Sequence, residues 1–283
     1  MLSFFGMGLL GSNFVRALRK RGEEVHVWNR THEKAVALES EGAKAFEDPA
    51  DAARGATRIH LTLSDDQAVD DVLERAQAGI ARGAVIVDHS TTSAPGVLER
   101  RERWHERGVT FVHAPVFMGP QNARESTGLM LVSGPRAELE PLREPLAAMT
   151  GKLVDLGERP DAAAAFKLMG NLFLMNLTVG LAEMLTLAKA LDVAPQEAAT
   201  IFDHFNPGTS IGWRIKKMVD GQFDDPSWEL QMARKDARLM LEAANEAEVA
   251  LATLPAIIDR MDDLIAEGHG GDDWTVIAKD AVS

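Results

Sequence analysis

Residues 2–31 read LSFFGMGLLGSNFVRALRKRGEEVHVWNRT, and the succession of apolar run, glycine turn, amphipathic stretch and second apolar run decides the fold. Leu2–Phe5 predicts a short buried strand, and Ser12–Arg21 predicts the helix that follows it. Between them Gly6, Gly8 and Gly11 stand as G-x-G-x-x-G. Gly6 permits a tight turn, Gly8 lets a diphosphate approach the backbone, and Gly11 lets helix and strand pack closely. The amides at the helix start then face the phosphates, favoured by the helix dipole. Glu24–Trp28 predicts a second strand. After it, an NAD-binding unit usually carries an acidic residue for the ribose hydroxyls, but this chain has Asn29, Arg30 and Thr31. A carboxylate would repel a 2′-phosphate, whereas Arg30 can pair with one and Asn29 and Thr31 can hydrogen-bond to it. The pattern points to NADP(H) rather than NAD.

The alternation continues. A helix is expected near His32–Gly42, a strand at Arg58–Leu63, a helix at Asp66–Ala78, a strand at Ala84–Asp88, a helix at Pro95–Arg107 and a strand at Val109–His113. Strand and helix taking turns predicts an α/β fold with a parallel, doubly wound Rossmann sheet. Ligands of such sheets sit beyond the carboxyl ends of the strands, which places Leu63-Ser64-Asp65, Ser90-Thr91 and Ala114–Gly119 on one rim. A further strand pair, Leu129–Ser133 and Lys152–Asp155, flanks a helix at Arg136–Met149 and closes an NADP-binding domain, residues 1–159.

Residues 160–191, PDAAAAFKLMGNLFLMNLTVGLAEMLTLAKAL, predict one helix that is apolar on nearly every face and roughly 45 Å long. Such a helix needs partners on several sides and reads as an interdomain spine. Lys167 and Asn171 stand four residues apart on one stripe of it. Taken alone, they read as a snorkelling lysine and a satisfied core amide. The polar interruptions at Lys167, Asn171, Asn176, Glu183 and Lys189 argue against a membrane span. Only helical patterns follow, at Pro195–Phe205, Ser210–Asp220, Ser227–Val249, Pro255–Glu267 and Asp273–Ala281. Residues 160–283 are therefore expected to form an all-α substrate and oligomerisation domain. Trp228, Lys235 and Asp236 are candidates to reach the crevice, the plainer alternative being a solvated face with one buried aromatic.

Composition narrows the function. The 283 residues carry a formal net charge of −13 with both signs spread along the chain, so neither nucleic acid nor an anionic membrane is expected as a partner. The absence of cysteine excludes disulfides, thiolate zinc sites and cysteine nucleophiles, and the absence of tyrosine excludes a tyrosine general acid. The eight histidines show no metal-ligand spacing, so no metal is assigned. The opening apolar run lacks a basic region before it, and its glycines suit a turn; a cytoplasmic location is expected.

The chain resembles the β-hydroxyacid dehydrogenase family, which includes 3-hydroxyisobutyrate dehydrogenases and glyoxylate/succinic semialdehyde reductases. Five motifs in order carry the resemblance: GMGLLG with NRT, DHST at Asp88–Thr91, APVFMG at Ala114–Gly119, KLMGN at Lys167–Asn171 and KDARL at Lys235–Leu239. It overturns the plain reading of Lys167. The resemblance implies that Gly6, Met7, Gly8, Leu9, Leu10 and Gly11 bind the pyrophosphate and Asn29, Arg30 and Thr31 the 2′-phosphate, with Leu63 and Ser64 on the rim and Thr91 beside the nicotinamide. Lys167 would give or take the proton, Asn171 would hold it or the substrate oxygen, and Lys235 and Asp236 would close the site. The expected activity is NADPH-dependent hydride transfer to or from a small aldehyde, keto compound or β-hydroxyacid, in a homodimer or homotetramer. Imine reductases share the architecture, but usually place aspartate or tyrosine where this chain has Lys167. A catalytically inactive NADP-binding protein is the alternative outside enzymology. The chain departs from the family where Phe117, Met118 and Gly119 replace the Ser-Gly-Gly that grips a substrate carboxylate, and where Trp228 stands in a position often held by phenylalanine. Hydrogen-bonding sites discriminate more sharply than apolar pockets, so the first change is expected to broaden or shift selectivity, a bulkier or less polar carbonyl being one candidate substrate.

Overall fold

A computed structural model describes residues 1–282 and divides the chain into two compact units, Met1–Leu172 and Phe173–Ser283. The first opens with β1 (Leu2–Phe5), α1 (Leu9–Lys20), β2 (Val25–Trp28), α2 (His32–Val36) and β3 (Lys44–Phe46). It continues with α3 (Pro49–Ala53), β4 (Arg58–Leu61), α4 (Asp66–Ala76), β5 (Val85–Asp88), α5 (Ala94–Glu106) and β6 (Thr110–His113). The six strands form one sheet in the order β3-β2-β1-β4-β5-β6, every pairing parallel. The predicted doubly wound sheet is present, and its order reverses between β1 and β4, where such sheets open a ligand crevice. Adjacent residues of β1 serve opposite faces: Phe4 packs with Phe14, Leu18 and Val27, and Phe5 with Trp28, Ile59 and Leu61. Both faces are buried, which is why these strands are continuously apolar rather than alternating.

Two strands escape the sequence reading. Lys44–Phe46 is a three-residue edge strand, too short to show periodicity. The second correction bears on the site. Leu129–Val132 (β8) and Lys152–Asp155 (β9) do not extend the main sheet; with Val116–Phe117 (β7) they form a separate sheet, β7-β8-β9. Between them lie α6 (Pro120–Glu125) and α7 (Arg136–Ala147). β7 lies inside the segment expected to be a rim loop, and Phe117 sits opposite Leu129 in antiparallel register.

Helix α8 (Ala162–Ala190) crosses the division between the units. The expectation that it is buried on several sides fails in the single chain. Met169, Leu172 and Met175 are 55%, 63% and 64% exposed, and Phe173 is exposed beside them. By length and composition the helix is apolar enough to cross a membrane, so its polar interruptions do not by themselves exclude a span.

The second unit adds α9 (Pro195–Ala199), α10 (Ile201–His204), α11 (Ile211–Asp220), α12 (Leu230–Glu246), α13 (Leu254–Leu264) and α14 (Lys279–Val282). The helix expected over Pro195–Phe205 is two short ones, and the one expected from Asp273 begins as a 3₁₀ turn, Trp274–Ala278. Leu230, Ala233 and Ala237 of α12 meet Ile258, Met261 and Leu264 of α13 at helical spacing. Fully buried Asp273 accepts from Lys217 Nζ at 3.0 Å, Ser227 N at 2.8 Å and Oγ at 2.9 Å, and Thr275 N at 3.0 Å and Oγ1 at 2.7 Å. Glu183 of α8 accepts from Thr253 N at 2.6 Å and from the Thr253 hydroxyl, capping the start of α13.

Candidate active site

The glycine turn is built from β1, β2 and β4 together. Gly6 has φ +95°, a conformation that side chains disfavour, and a Cβ there would lie 2.2 Å from the Thr62 carbonyl oxygen. A Cβ on Gly11 would lie 1.9 Å from the Gly6 carbonyl oxygen. Thr62 ties the two together, its hydroxyl donating to Gly6 O at 2.8 Å. Gly8 is different. Its backbone is ordinary extended chain (φ −76°, ψ −168°), and a Cβ there would meet nothing within 4 Å. Neither packing nor conformation requires glycine at 8, and its bare backbone leaves the mouth of the turn open. Gly8 also precedes α1, whose first-turn amides have no carbonyl within the helix to bond. The cradle fits a dinucleotide diphosphate.

Asn29 and Met7 play parts other than those expected. The Asn29 Oδ1 accepts from Met7 N at 2.9 Å and its Nδ2 donates to Thr31 O at 2.8 Å, so this amide braces the glycine turn. The Met7 N–H is committed to that bond, and its side chain is buried in the core, 3% exposed. Arg30 and Thr31 remain exposed on a cavity of about 720 Å³ that Gly6, Gly8, Leu63 and Ser64 also line. Lys34, Thr62 and Arg75 line it too, and were not expected. Lys34 lies in the first turns of α2, where sequence shows only an ordinary surface cation. Arg30 and Lys34 place two positive charges on this cavity, a pairing that suits an anionic group.

The rim loops are cross-linked. Leu63 N donates to Ser90 Oγ at 2.9 Å, and the Asp66 carboxylate accepts from Ser93 N at 3.0 Å and Ser93 Oγ at 3.0 Å. Arg100, 1% exposed, holds Asp66 at 2.7 Å and Asp70 at 3.0 Å from the underlying α5. Thr91 is exposed on the rim between these ties. Beneath the loops, Arg58 Nε donates to His60 Nε2 at 2.8 Å, His60 Nδ1 meets His89 Nε2 at 2.9 Å, and His89 Nδ1 meets Ala114 O at 2.7 Å. An arginine can only donate, so each ring acts as acceptor at Nε2 and donor at Nδ1, and both are neutral. Burial pushes both histidines down, His89 to about 4, and pushes Asp88 up to about 6.

Lys167 is 9% exposed, and its ammonium lies 4.0 Å from the centroid of the Phe117 ring. Burial lowers its pKa from the usual lysine value. Among the described residues no carboxylate lies within ion-pair distance of it, and it makes no hydrogen bond to Asn171, which is half-buried one turn on. Of the five residues expected to face substrate, Phe117, Met118, Gly119, Trp228 and Asp236, Phe117 is the one seen against Lys167. Met118 packs on the core cluster, and the Gly119 N–H donates to Asn122 Oδ1 at 2.9 Å. Trp228, Lys235 and Asp236 belong to the second unit. There Trp228 packs against Trp274 with centroids 5.6 Å apart, and exposed Lys235 pairs with half-buried Asp236 at 2.9 Å.

Residues 1–157 match the family model of the NAD binding domain of 6-phosphogluconate dehydrogenase, and residues 162–280 that of the NAD-binding region of NADP-dependent 3-hydroxyisobutyrate dehydrogenase. The chain is 25% identical to the uncharacterized oxidoreductase YfjR of Bacillus subtilis (strain 168), over 98% of each chain. It is 31% identical to the human cytokine-like nuclear factor N-PAC over 85% of this chain, but spans only 44% of that protein. Among solved structures, the Myxococcus stipitatus imine reductase in complex with NADP+ shares the fold at a TM-score of 0.92, with 19% identity and 99% of both chains covered. The Streptomyces aurantiacus imine reductase gives 0.89, with 25% identity and 99% of both chains covered. With both halves of the chain matched, the protein belongs to the 3-hydroxyisobutyrate dehydrogenase family of NAD(P)-binding oxidoreductases.

Proposed function

We propose that the protein is an NADPH-dependent reductase of a small, largely neutral carbonyl compound, reversible as a dehydrogenase of the corresponding hydroxy compound, with Lys167 as general acid and base. The observation that carries this reading is a buried ammonium that no carboxylate neutralises, on the same unit as a glycine cradle left open at Gly8. A bound nicotinamide dinucleotide would supply the hydride. Lys167 would give a proton to the carbonyl oxygen in reduction and recover it in oxidation, and its charge would offset the negative charge developing on that oxygen. Burial lowers its pKa from the ordinary lysine value, because desolvation disfavours the charged form and so eases loss of the proton. Asn171, one turn on, would orient the same oxygen. Arg30, Thr31 and Lys34 would hold the 2′-phosphate. Phe117 stands where the family's serine hydroxyl grips a carboxylate, which favours a substrate without one.

The test follows NADPH absorbance with glyoxylate, succinic semialdehyde, tartronate semialdehyde and bulkier aldehydes and ketones, for wild type and Lys167→Ala. Loss of a general acid should cost about 100-fold or more in turnover. Wild-type turnover in the variant would sink the assignment. Imine reduction is the second reading, supported by the same apolar Phe117 in place of a hydroxyl donor. Turnover of a cyclic imine that survives Lys167→Ala would favour it. Tight NADPH binding with no turnover on any member of the panel would favour a binding protein instead.

The exposed apolar length of α8 supports assembly into a homodimer or homotetramer through this helix. Light scattering in detergent-free buffer tests it: a monodisperse dimer or tetramer is expected, and a monomer, or a protein recoverable only in detergent, would refute it.

A further inference from the structure

A buried lysine ordinarily keeps its charge by pairing with a carboxylate or by hydrogen bonding to amides and carbonyls. The Lys167 ammonium has neither among the described residues; what stands 4.0 Å away is the face of Phe117. The ring is not there by chance of rotamer. It projects from β7, which is paired with β8, and its far edge fills a gap in α8 left by Gly170: a Cβ at that position would lie 2.4 Å from Phe117 Cζ and 2.9 Å from Cε1. Lys167 and Gly170 are three apart, on one face of the helix, so the ring is lodged against both.

We propose that Phe117 is the positioning partner of Lys167, its π face holding the ammonium at the rim while leaving the three N–H groups uncommitted for an incoming oxygen. The proposal rests on the reading of Lys167 as the proton-transfer group. An aromatic face attracts a cation through its quadrupole without accepting a directed hydrogen bond from it, unlike a carboxylate, which would engage the N–H groups and neutralise the charge. Gly170 is the other half of the device, because any side chain there displaces the ring.

The experiment reads Lys167 directly. Lysines of the full-length protein are reductively methylated with ¹³C-formaldehyde, the Lys167 resonance is assigned by its loss in Lys167→Arg, and its titration is followed by NMR without substrate. Phe117→Leu keeps apolar bulk and removes the π face; the midpoint should move acid-ward by about half to one and a half pH units. Phe117→Tyr should leave it near wild type. Gly170→Ala should move it as Phe117→Leu does, and should add nothing in the Phe117→Leu background. A midpoint unmoved or moved to higher pH in Phe117→Leu overturns the proposal. Should Phe117→Leu fail to fold, graded fluorination of Phe117 keeps the shape and drains the quadrupole. A stepwise acid-ward drift with each fluorine is then expected, and no trend overturns the proposal. Because no turnover is measured, an inactive enzyme on every carbonyl tested would count against the proposed function and leave this result standing.

Discussion

His60 Nδ1 and His89 Nε2 stand 2.9 Å apart with both rings wholly buried, the middle bond of a chain that begins at Arg58 and ends on the carbonyl of Ala114. Ala114 opens the segment that leads through β7 to Phe117. The chain therefore ties the backbone carrying Phe117 to the interior of the sheet, and works only while both rings stay neutral.

This makes stability depend on pH with a defined sign. Burial holds His89 and His113 at about 4 and His60 well below its ordinary value, so between pH 6.5 and about 4 the unfolded chain takes up protons that the folded chain refuses. Stability falls as pH drops through that window. Asp88 opposes it: raised by burial to about 6, it holds a proton in the folded state that the unfolded state has lost, so its contribution falls as pH rises from 3.8 to about 6. Three histidines outweigh one aspartate. Urea unfolding should give a midpoint several-fold more sensitive to pH between 4.5 and 6.5 than between 7 and 8. For His89 the full difference is about 3 kcal/mol. His89→Gln should flatten the slope, and an unchanged slope would show that the rings do not titrate this way.

Asp273 is the corresponding hub of the helical unit. Burial pushes its carboxyl up, but the bonds from Thr275, Ser227 and Lys217 outweigh that and hold it well below the usual carboxylate range. Asp273→Ala leaves Lys217 and the surrounding donors without their acceptor and should cost about 3–5 kcal/mol. Guanidinium unfolding followed by tryptophan fluorescence checks it, since Trp213, Trp228 and Trp274 all lie in this unit. Asp273→Asn should cost less than Asp273→Ala.

What could be read from the chain and what could not divide along physical lines. Gly6, Gly8 and Gly11 act within ten residues of one another, so their spacing alone exposes the turn, and strand–helix alternation exposes the parallel sheet. β7 could not be seen, because two residues carry no period and its pairing comes from Leu129 and Met130. Arg100 beneath Asp66 and Asp70, and the histidine chain, join residues some thirty positions apart that meet only after the sheet forms. Asn29 shows the subtler failure: residue type suggested phosphate binding, but nothing in the sequence reveals that its amide turns back to Met7. The exposure of α8 was illegible for the opposite reason, since an all-round apolar helix announces burial without saying in what.

Gly11 and Gly8 of the turn should fail differently. Gly11→Ala drives a methyl into the Gly6 carbonyl and the Thr62 hydroxyl, at 1.9 and 2.3 Å, and should destabilise the first unit by about 3 kcal/mol or more. Gly8→Val adds its side chain to open space in a backbone any residue adopts, so its thermal midpoint should stay within a few degrees of wild type. It should instead weaken NADPH binding by about 100-fold, the scale of a few charge-assisted bonds. Calorimetric titration beside thermal melts separates the two. Gly8→Val binding NADPH as wild type would mean that the diphosphate does not approach there.

Arg30 and Asn29, adjacent in sequence, should have separable effects on cofactor choice. Arg30 is exposed on the cavity and free to pair with a 2′-phosphate, so Arg30→Ala should raise the KM for NADPH by about 10- to 100-fold and change that for NADH little. Lys34→Ala should act in the same direction, and the double variant should approach indifference between the two cofactors. Asn29 braces Met7, so Asn29→Ala loosens the turn that any dinucleotide diphosphate must use and should weaken NADPH and NADH by similar factors. Initial rates with both cofactors give the ratio. If Asn29→Ala were selective against NADPH, the amide would have to leave Met7 when cofactor binds; if Arg30→Ala were indifferent, the 2′-phosphate would have to be held elsewhere.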